Sequence, residues 1–295
     1  MAGVLGAMQK LRFVEEETWG SLPGSPSYIG LPISEDGYTL GLRGGYHFPA
    51  VKIGSYQRKY SAAVARNLEG SLLVGVWPEL AQYLFDFALG RDENGELPSY
   101  AFEFSSPGVE AKRHLGCKVD TLTISSAAAS PGLQLAFDLI GKAEEEITDF
   151  SAPSIPAGVP FVFQHATFEI DGEGSEGVEA FSIEVANNLT RGPHGSELYI
   201  AYLLAGLEVV TGTATVLYDR STYNEHIRQA SQGSFKAIFT HPAGGSPVPQ
   251  IVIYLPQIVL TSTPEAGGPG DIIRQTLNFE AELPPAGDQI QVTIT

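Results

Sequence analysis

Residues 67–90 read NLEGSLLVGVWPELAQYLFDFALG, and this stretch decides the fold because a strand runs directly into a helix. Glu69–Trp77 is predicted to be the strand. Pro78 stands in the first turn of the helix, where proline is tolerated. The apolar residues that recur at helical spacing are Trp77, Leu80, Ala81, Leu84, Phe85 and Ala88. Gly90 is placed to end the helix.

A second stretch has the same order of elements. Residues 209–233 read VVTGTATVLYDRSTYNEHIRQASQG, in which a predicted strand leads into a helix over Ser221–Gln232, ended by Gly233. After each unit come a strand, a Pro-Gly turn and another strand. These are Val119–Ile124, Pro131-Gly132 and Leu133–Ile140 in the first copy, and Ile251–Leu260, Pro269-Gly270 and Ile272–Leu283 in the second. The repetition predicts two like domains related by a pseudo-twofold axis, an arrangement that serves assembly.

The chain of 295 residues accommodates two domains, each with a core of its own. The Pro-rich run Ser151–Gly158 is predicted to link residues 1–150 to residues 159–295. Residues 1–37, with clusters of Gly, Pro and Ser, are predicted to be an N-terminal arm with little periodic structure. Long connections are predicted over 44–66 and 187–205. The fold class is therefore mainly β, with two tandem β-sandwich or barrel domains that each hold one α-helix and a long loop.

The net charge of −17 excludes a general nucleic-acid-binding surface, because phosphates need cationic partners. Cys117 is the only cysteine, so no intramolecular disulfide can form. The most apolar window, Tyr199–Val210, carries Glu208 and is too short to span a bilayer. Lys10 and Arg12 follow the first apolar residues, whereas a signal peptide has its charges first. We therefore expect a protein that makes no membrane contact and assembles in a reducing cytoplasm.

No group of residues has the pattern of a catalytic or cofactor site. The sequence contains no Gly-x-Ser-x-Gly, Walker A or dinucleotide motif, so we expect neither enzyme activity nor a cofactor. His114 and Cys117 have metal-ligand spacing, but no second pair accompanies them, and a strand is the simpler interpretation. Asp171–Gly177 resembles a calcium loop but lacks its sixth-position Gly, and is predicted to be a hairpin turn. The acids Glu144-Glu145-Glu146 are predicted to be a solvated loop.

The segment from Arg43 to Arg66 reverses the sign of the overall charge, because it holds five cations and no acid. It also carries aromatic and apolar side chains, which are unfavourable on a loop that stays in water. We interpret it as an arm that contacts other copies of the chain, the alternative being a basic surface loop. The residues predicted to make these contacts are Arg43, Lys52, Tyr56, Arg58, Lys59, Tyr60 and Arg66.

An ordered set of short motifs resembles the tail tube proteins of long-tailed bacteriophages. The set comprises Thr18-Trp19-Gly20-Ser21, Leu68-Glu69-Gly70-Ser71-Leu72 running into the helix, Gly116–Ile124, Leu139-Ile140-Gly141-Lys142, and Thr211–Val216 with Tyr218-Asp219. The resemblance spans nearly the whole chain and implies a non-enzymatic virion protein. Its subunits would form rings that stack into a hollow tail tube, with tape measure protein and then DNA in the lumen.

If each half of the chain is one tube domain, three chains would close a ring of six domains, which is a pseudo-sixfold ring. If the duplication is false, six chains would be needed for the same ring. The resemblance also implies contacts with tail tip and terminator proteins. Two other functions remain open at this point. One is a capsid or tail decoration protein, and the other is a carbohydrate-binding β-sandwich that uses Trp19, Trp77 and tyrosines as stacking platforms.

The strands beside the two long connections are predicted to line the channel of such a tube. Tyr38, Leu40 and Leu42 would face the core, as would Phe181, Ile183 and Val185. The residues that would then face the channel are Thr39, Gly41, Ser182 and Glu184, joined by Thr211, Thr213 and Thr215 on the later strand. This surface is small, polar and acidic, and nothing on it can neutralise a phosphate.

Overall fold

The structure is a computed structural model that describes residues 9–47, 62–106, 111–192, 199–217, 229, 231–242, 247–266 and 273–295. Within these ranges the chain is mainly β, as the sequence predicted, and α1 (Pro78–Leu89) is its α-helix. The strands of the first half are β1 (Lys10–Glu15), β2 (Ile29–Leu31), β3 (Ile33–Tyr38), β4 (Gly41–His47), β5 (Ala62–Gly75), β6 (Tyr100–Ser105), β7 (Ala111–Ala127), β8 (Ser130–Gly141) and β9 (Ala143–Ile147).

Further strands follow in the second half of the chain, after a 3-10 turn at Phe163–His165. They are β10 (Ala166–Ile170), β11 (Glu173–Gly174), β12 (Val178–Ala186), β13 (Thr190–Arg191), β14 (Leu203–Leu204), β15 (Val209–Leu217), β16 (Gln232–Thr240), β17 (Gln250–Ser262), β18 (Glu265–Ala266), β19 (Arg274–Ala281) and β20 (Gln291–Ile294).

One antiparallel sheet runs through both halves in the order β4, β5, β8, β7, β12, β15, β19 and β17. Strand β7 is 17 residues long, and its N-terminal part turns away to pair with β6 and β9. Strands β1 and β2 extend that second layer. The core lies between the layers, and its fully buried aromatic side chains include Phe13, Phe87, Phe102 and Phe137.

The same order of strand pairing occurs in each half. In the first half β5 pairs β8, β8 pairs β7, β7 pairs β6 and β6 pairs β1. In the second half β15 pairs β19, β19 pairs β17, β17 pairs β16 and β16 pairs β10. The register shifts also agree, because β6 slips against β7 between Tyr100 and Phe102, and β16 slips against β17 between Gly233 and Phe235.

Helix α1 begins and ends where the sequence predicted. Its buried residues are Leu80, Ala81, Leu84, Phe85, Phe87 and Ala88, so Phe87 joins the predicted face. The Gly90 N–H donates to the Asp86 carbonyl oxygen at 2.8 Å and closes the last turn. Of the predicted second helix, Ser221–Gln232, the structure describes Gln229, which is helical, Ser231, which is not, and Gln232. The part of that prediction at Gln232 and Gly233 is wrong, because both residues pair with β17.

Gly70 on β5 leaves room for the chain that passes from β3 to β4. A Cβ at this position would lie 2.4 Å from the Cα of Leu40, closer than real contacts allow. The Thr39 N–H donates to the Ser71 carbonyl at 3.0 Å across the same contact. The close approach therefore keeps Thr39–Leu40 against β5 although β3 and β4 are separate strands.

The predicted N-terminal arm is wrong for the described residues 9–37, which contain β1, β2 and most of β3. Strand β1 could not be predicted from alternation of polar and apolar residues, because it is buried on both sides. Leu11 and Phe13 join the main core, whereas Arg12 and Val14 are buried on the other side. A strand covered on both faces has no polar side from which alternation could be recognised.

Three predicted loops or turns are also corrected. Pro131-Gly132 lies within β8, and the turn falls at Ala128-Ala129, because Val162 bridges to Gly132 and holds the start of β8 extended. Glu144–Glu146 lies in β9, where cations of β7 stabilise the acids across the ladder. The connection predicted over 44–66 is strand at both ends, since β4 continues to His47 and β5 starts at Ala62.

The predicted linker follows the surface of the first half. Ser151–Gly158 has no regular structure, and the Arg12 guanidinium donates to the Ser151 carbonyl at 3.0 Å. Phe161 is then fully buried, with its N–H bonded to the Val76 carbonyl at 2.8 Å and its carbonyl accepting from Leu133 at 2.9 Å. The chain thus contributes backbone hydrogen bonds to the first half before β10 begins.

Candidate assembly surfaces

One face of the long sheet carries small polar side chains across the strands of both halves. The alternation is clearest in β12, where Phe181, Ile183 and Val185 are buried while Ser182 and Glu184 point away from the core. The cross-strand pairs Ser125–Ser182 and Ser182–Thr213 continue one row of this face, and Thr213–Asn278 extends it. We call this surface, built on β5, β8, β7, β12, β15 and β19, the polar face.

Most residues predicted to line a channel lie on the polar face. Ser182, Glu184, Thr211 and Thr213 line one shallow depression, and Thr215 continues the outward positions of β15. Thr39 is exposed beside β5, where its hydroxyl lies 2.9 Å from that of Ser71. The structure therefore places the predicted residues of the two halves on neighbouring parts of one sheet surface.

The charge of the polar face is acidic. Glu184 and Glu280 flank Thr211 in the ladder, and Asp138 lies on β8, two strands from β12, which carries Glu184. Among the described residues none of these three acids has an ion-pair partner. The cations nearby are neutralised. Arg191 pairs with Glu69, Lys118 with Glu96 and Arg274 with Glu179. A phosphate approaching β7, β12, β15 and β19 would meet carboxylates and hydroxyls, whereas Arg43 is an exposed cation on β4 at the edge of the sheet.

Sequence reasoning predicted the strands that complete the polar face but did not assign their outward residues to it. The outward residues it did not assign are Thr121, Thr123 and Ser125 of β7, Asp138 of β8, and Thr276, Asn278 and Glu280 of β19. The signal was present, because each of these strands alternates polar with buried apolar residues. Alternation shows which side chains share a face of one strand, but it does not show which strands are neighbours.

The predicted contact segment lies largely outside the described residues, including Lys52, Tyr56, Arg58, Lys59 and Tyr60. Its two ends are described. Arg43 lies on β4 opposite Asn67, and Arg66 lies on β5 opposite Gly44. Both arginines are exposed. The segment therefore connects the two strands of a hairpin at the edge of the sheet.

A buried charge cluster holds the second layer together. Glu103 is fully buried on β6 and accepts hydrogen bonds from Arg12 Nε at 2.6 Å and Arg113 Nε at 2.8 Å. The Tyr28 hydroxyl donates to the same carboxylate at 2.5 Å. Burial, together with the neighbouring carboxylate, raises the pKa of Tyr28 to about 12. One carboxylate thus joins β1, β6, β7 and the segment before β2.

The possible metal pair has other partners. Nδ1 of His114 lies 2.5 Å from the Tyr38 hydroxyl and Nε2 lies 3.0 Å from Glu144 Oε2, while burial lowers the pKa of this imidazole. Cys117 is buried, and burial raises the pKa of its thiol. In the part of the chain that the structure describes, no group of three or more His, Cys, Asp and Glu side chains could hold a metal ion. In the same ranges no helix is long and apolar enough to cross a membrane.

Both tryptophans are engaged within the chain. Trp19 Nε1 donates to the Gly116 carbonyl at 2.9 Å, and the Lys142 ammonium lies 4.6 Å from the Trp19 ring centre. Trp77 Nε1 donates to the Gly158 carbonyl at 3.2 Å, and the ring is only partly exposed. These contacts do not favour the alternative in which the tryptophans form a sugar-binding platform. Asp171-Gly172 forms the two-residue turn of the β10–β11 hairpin, as predicted in place of a calcium loop.

Layered sheets around an aromatic core, with a polar strand face that crosses both halves, define a mainly β protein. A family model described as phage tail tube protein matches residues 6–281. The chain therefore belongs to the phage tail tube protein family and is a structural component of a phage tail, which confirms the resemblance seen in the sequence. None of the curated proteins compared with it matches.

Proposed function

We propose that three copies of the chain close into a ring and that the rings stack into the hollow tail tube through which DNA is delivered to the host. In this proposal residues 1–150 and 159–295 are two copies of one tube domain, so that three chains give a pseudo-sixfold ring. The support for the duplication is the shared order of strand pairing and the shared register shifts. Six single-domain chains would be the alternative.

The observation that carries the proposal is the continuous polar face. It crosses from β5 to β19 through the β7–β12 pairing, so both halves contribute to one surface. In the proposed ring this face lines the channel, and Thr39, Ser182, Glu184, Thr211, Thr213 and Thr215 are among its wall residues. The buried side of the same strands then forms the core of the ring wall.

The chemistry of the polar face suits a channel for DNA. A wall of hydroxyls and carboxylates offers no cation to release counterions from DNA, so a passing duplex gains no binding energy. Net negative charge also repels phosphates over a Debye length, about 8 Å at physiological ionic strength. The tape measure protein and then DNA would occupy such a lumen without specific binding.

The proposed location is the tail tube of the virion, after assembly in the host cytoplasm. The ends of a stacked tube must meet other components, so tail tip and terminator proteins are proposed partners. Assembly by head-to-tail contacts that do not close on themselves gives filaments. No cofactor or catalytic step is part of this proposal.

The segment from Arg43 to Arg66 is proposed to contact the neighbouring subunit or ring. Reversing the charge of Arg58 and Lys59, each to glutamate, should slow polymerisation and leave the monomer folded. One exposed ion pair contributes only about 0–1 kcal/mol, but the tube repeats each contact many times. Light scattering over time at several salt concentrations measures this effect. Unchanged rates and unchanged salt dependence would show that the segment is merely solvated.

The ring proposal is tested by imaging and mass. Negative-stain images of the purified chain should show rings or tubes, and native mass spectrometry of the smallest closed species should give three chains. A smallest ring of six chains would contradict the two-domain ring. Compact monomers at high concentration, with no rings or tubes, would instead favour a decoration or binding module.

A further inference from the structure

A turn over residues 92–96 follows α1, and it contains the only Asn-Gly pair of the sequence, Asn94-Gly95. The Gly95 N–H donates to the Asp92 carbonyl at 2.9 Å, and the Asp92 N–H donates to the Glu96 carbonyl at 3.0 Å. Gly95 has a φ of 79°, which glycine adopts without strain. Asn94 and Gly95 are both exposed, so water reaches the pair. We call residues 92–96 the Asn-Gly turn.

The Asp92 carboxylate holds the Asn-Gly turn closed. Its Oδ1 accepts from the Asn94 N–H at 2.8 Å and from the Glu96 N–H at 2.9 Å. Its Oδ2 accepts from Nδ2 of Asn94 at 3.4 Å, which draws the asparagine side chain toward the carboxylate. The N–H groups of Glu96 and Asn94 lower the pKa of the Asp92 carboxyl, which therefore stays ionised at neutral and alkaline pH.

The Asn-Gly turn also takes part in the contact between the two halves of the chain. Arg91 Nη1 donates to the Gly95 carbonyl at 3.0 Å. Arg91 Nη2 donates to Asn187 Oδ1 and to Glu208 Oε2, each at 3.0 Å. Asn187 is fully buried at the end of β12. Arg91 therefore links the turn to a fixed point of the second half.

An asparagine that precedes a glycine is able to lose its amide nitrogen without a catalyst, and asparagine is among the thermolabile residues. The backbone nitrogen of Gly95 attacks Cγ of Asn94, so that a new N–Cγ bond forms and the Cγ–Nδ2 bond breaks. The proton of the attacking nitrogen and the departing NH₂ group leave together as ammonia. Water then opens the resulting succinimide ring at either carbonyl and gives aspartate or isoaspartate. Glycine favours the attack because no Cβ shields its nitrogen.

The closed turn opposes this reaction. The Gly95 nitrogen must give up its proton in order to attack, yet in the turn this N–H donates to the Asp92 carbonyl. The Asn94 N–H is held by the Asp92 carboxylate, which fixes the backbone on the other side of the reacting side chain. Attack therefore requires the turn to open. An exposed segment with few buried apolar contacts opens locally at a low cost in free energy.

We propose that Asn94 is a site of spontaneous deamidation whose rate is set by the opening of the Asn-Gly turn, with Asp92 as the residue that keeps the turn closed. Conversion to isoaspartate adds a methylene carbon to the main chain before Gly95. The Gly95 N–H and carbonyl then no longer reach Asp92 and Arg91 together, so the contact between the halves loses one of its hydrogen bonds. This inference is independent of the proposed ring.

Peptide mapping of the purified chain, incubated at mildly alkaline pH, tests the site. Mass spectrometry with fragmentation that separates aspartate from isoaspartate should find both products at Asn94. Asn188 is a matched control within the same chain, because it is exposed but is followed by Leu189, and it should convert far more slowly. Asn94→Gln should abolish the modification in this peptide. Equal conversion of Asn94 and Asn188, in the folded chain and in denaturant, would overturn the site.

The role of Asp92 is tested by rates. Asp92→Ala should speed the conversion of Asn94 in the folded chain by about tenfold, because it deletes a charged acceptor of two backbone hydrogen bonds. Asp92→Asn keeps an oxygen acceptor and should fall between. If Asp92→Ala does not fold, the unmodified chain gives the same test, since it should convert faster in denaturant than when folded. Equal rates in these comparisons would show that the turn gives no protection.

The release of Arg91 has a test of its own. Asn94→Asp carries the charge of the product on a normal backbone, so it is the matched control for the isoaspartate form isolated from the incubated chain. The isoaspartate form should unfold at a lower denaturant concentration than Asn94→Asp. Equal midpoints for the two would contradict the loss of the Arg91 contact.

Discussion

Replacing Glu103 by alanine is expected to lower the free energy of unfolding of the unassembled chain by about 3–5 kcal/mol, because it leaves the buried guanidinium of Arg12 without a counter-charge and removes the closer of the two acids that pair with the half-buried Arg113. Arg12 and Arg113 both donate to this carboxylate, and the Tyr28 hydroxyl loses its acceptor as well. Typical domains have only about 5–15 kcal/mol in total, so much of the folded stability would be lost. Chemical denaturation followed by circular dichroism measures the change.

Glu145→Ala is the matched control. Glu145 also pairs with Arg113, at 3.6 Å, but its side chain is 52% exposed. Its loss should cost no more than about 1 kcal/mol, since solvent already screens the pair. Glu103→Gln keeps the size of the side chain and should fall between the two. Equal denaturation midpoints for Glu103→Ala and Glu145→Ala would contradict the role of the buried cluster.

Changing Glu184 and Glu280 to lysine is expected to convert the proposed channel wall from non-binding to DNA-binding. The two residues flank Thr211 in adjacent ladders, so the substitution creates a cationic row that every ring would repeat. Each phosphate neutralised by lysine adds about −0.9 to the slope of log affinity against log salt. Short duplex DNA should co-sediment with the variant tubes at 50 mM salt and be released as the salt rises.

A double variant with the same change in net charge separates the effect of the channel wall from the effect of the overall charge. Glu93→Lys with Glu146→Lys alters two exposed acids outside the polar face, on the turn after α1 and on β9. The control tubes should retain far less DNA than the wall variant. Equal retention by both variants, or strong DNA retention by unmodified tubes, would contradict the assignment of the polar face to the channel.

Local patterns in the sequence predicted the parts of the fold that depend on one element at a time. The helical spacing from Leu80 to Ala88 gave α1, and the alternation in Phe181–Val185 gave both sides of β12. Strand β1 was missed because burial on both sides removes the alternation. The turn at Ala128-Ala129 was missed because Pro131-Gly132 has stronger turn propensity than the two alanines that form it.

The candidate surfaces were predictable only in part. Thr39, Ser182, Glu184 and the threonines of β15 were assigned from their parity along each strand. The joining of the halves through β7 and β12 could not be predicted, because parity does not select a partner strand. Asp138 and Glu280 consequently escaped notice, although both lie in the same acidic surface.

The most direct test of the central claim is a map of the assembled tube that resolves side chains. We expect rings of three chains in which Glu184, Thr211 and Glu280 face the channel and the channel wall is net negative. The long sheet should continue from chain to chain around that channel. A map that places Glu184 on the outer surface of the tube, or that shows a net positive channel wall, would contradict the account.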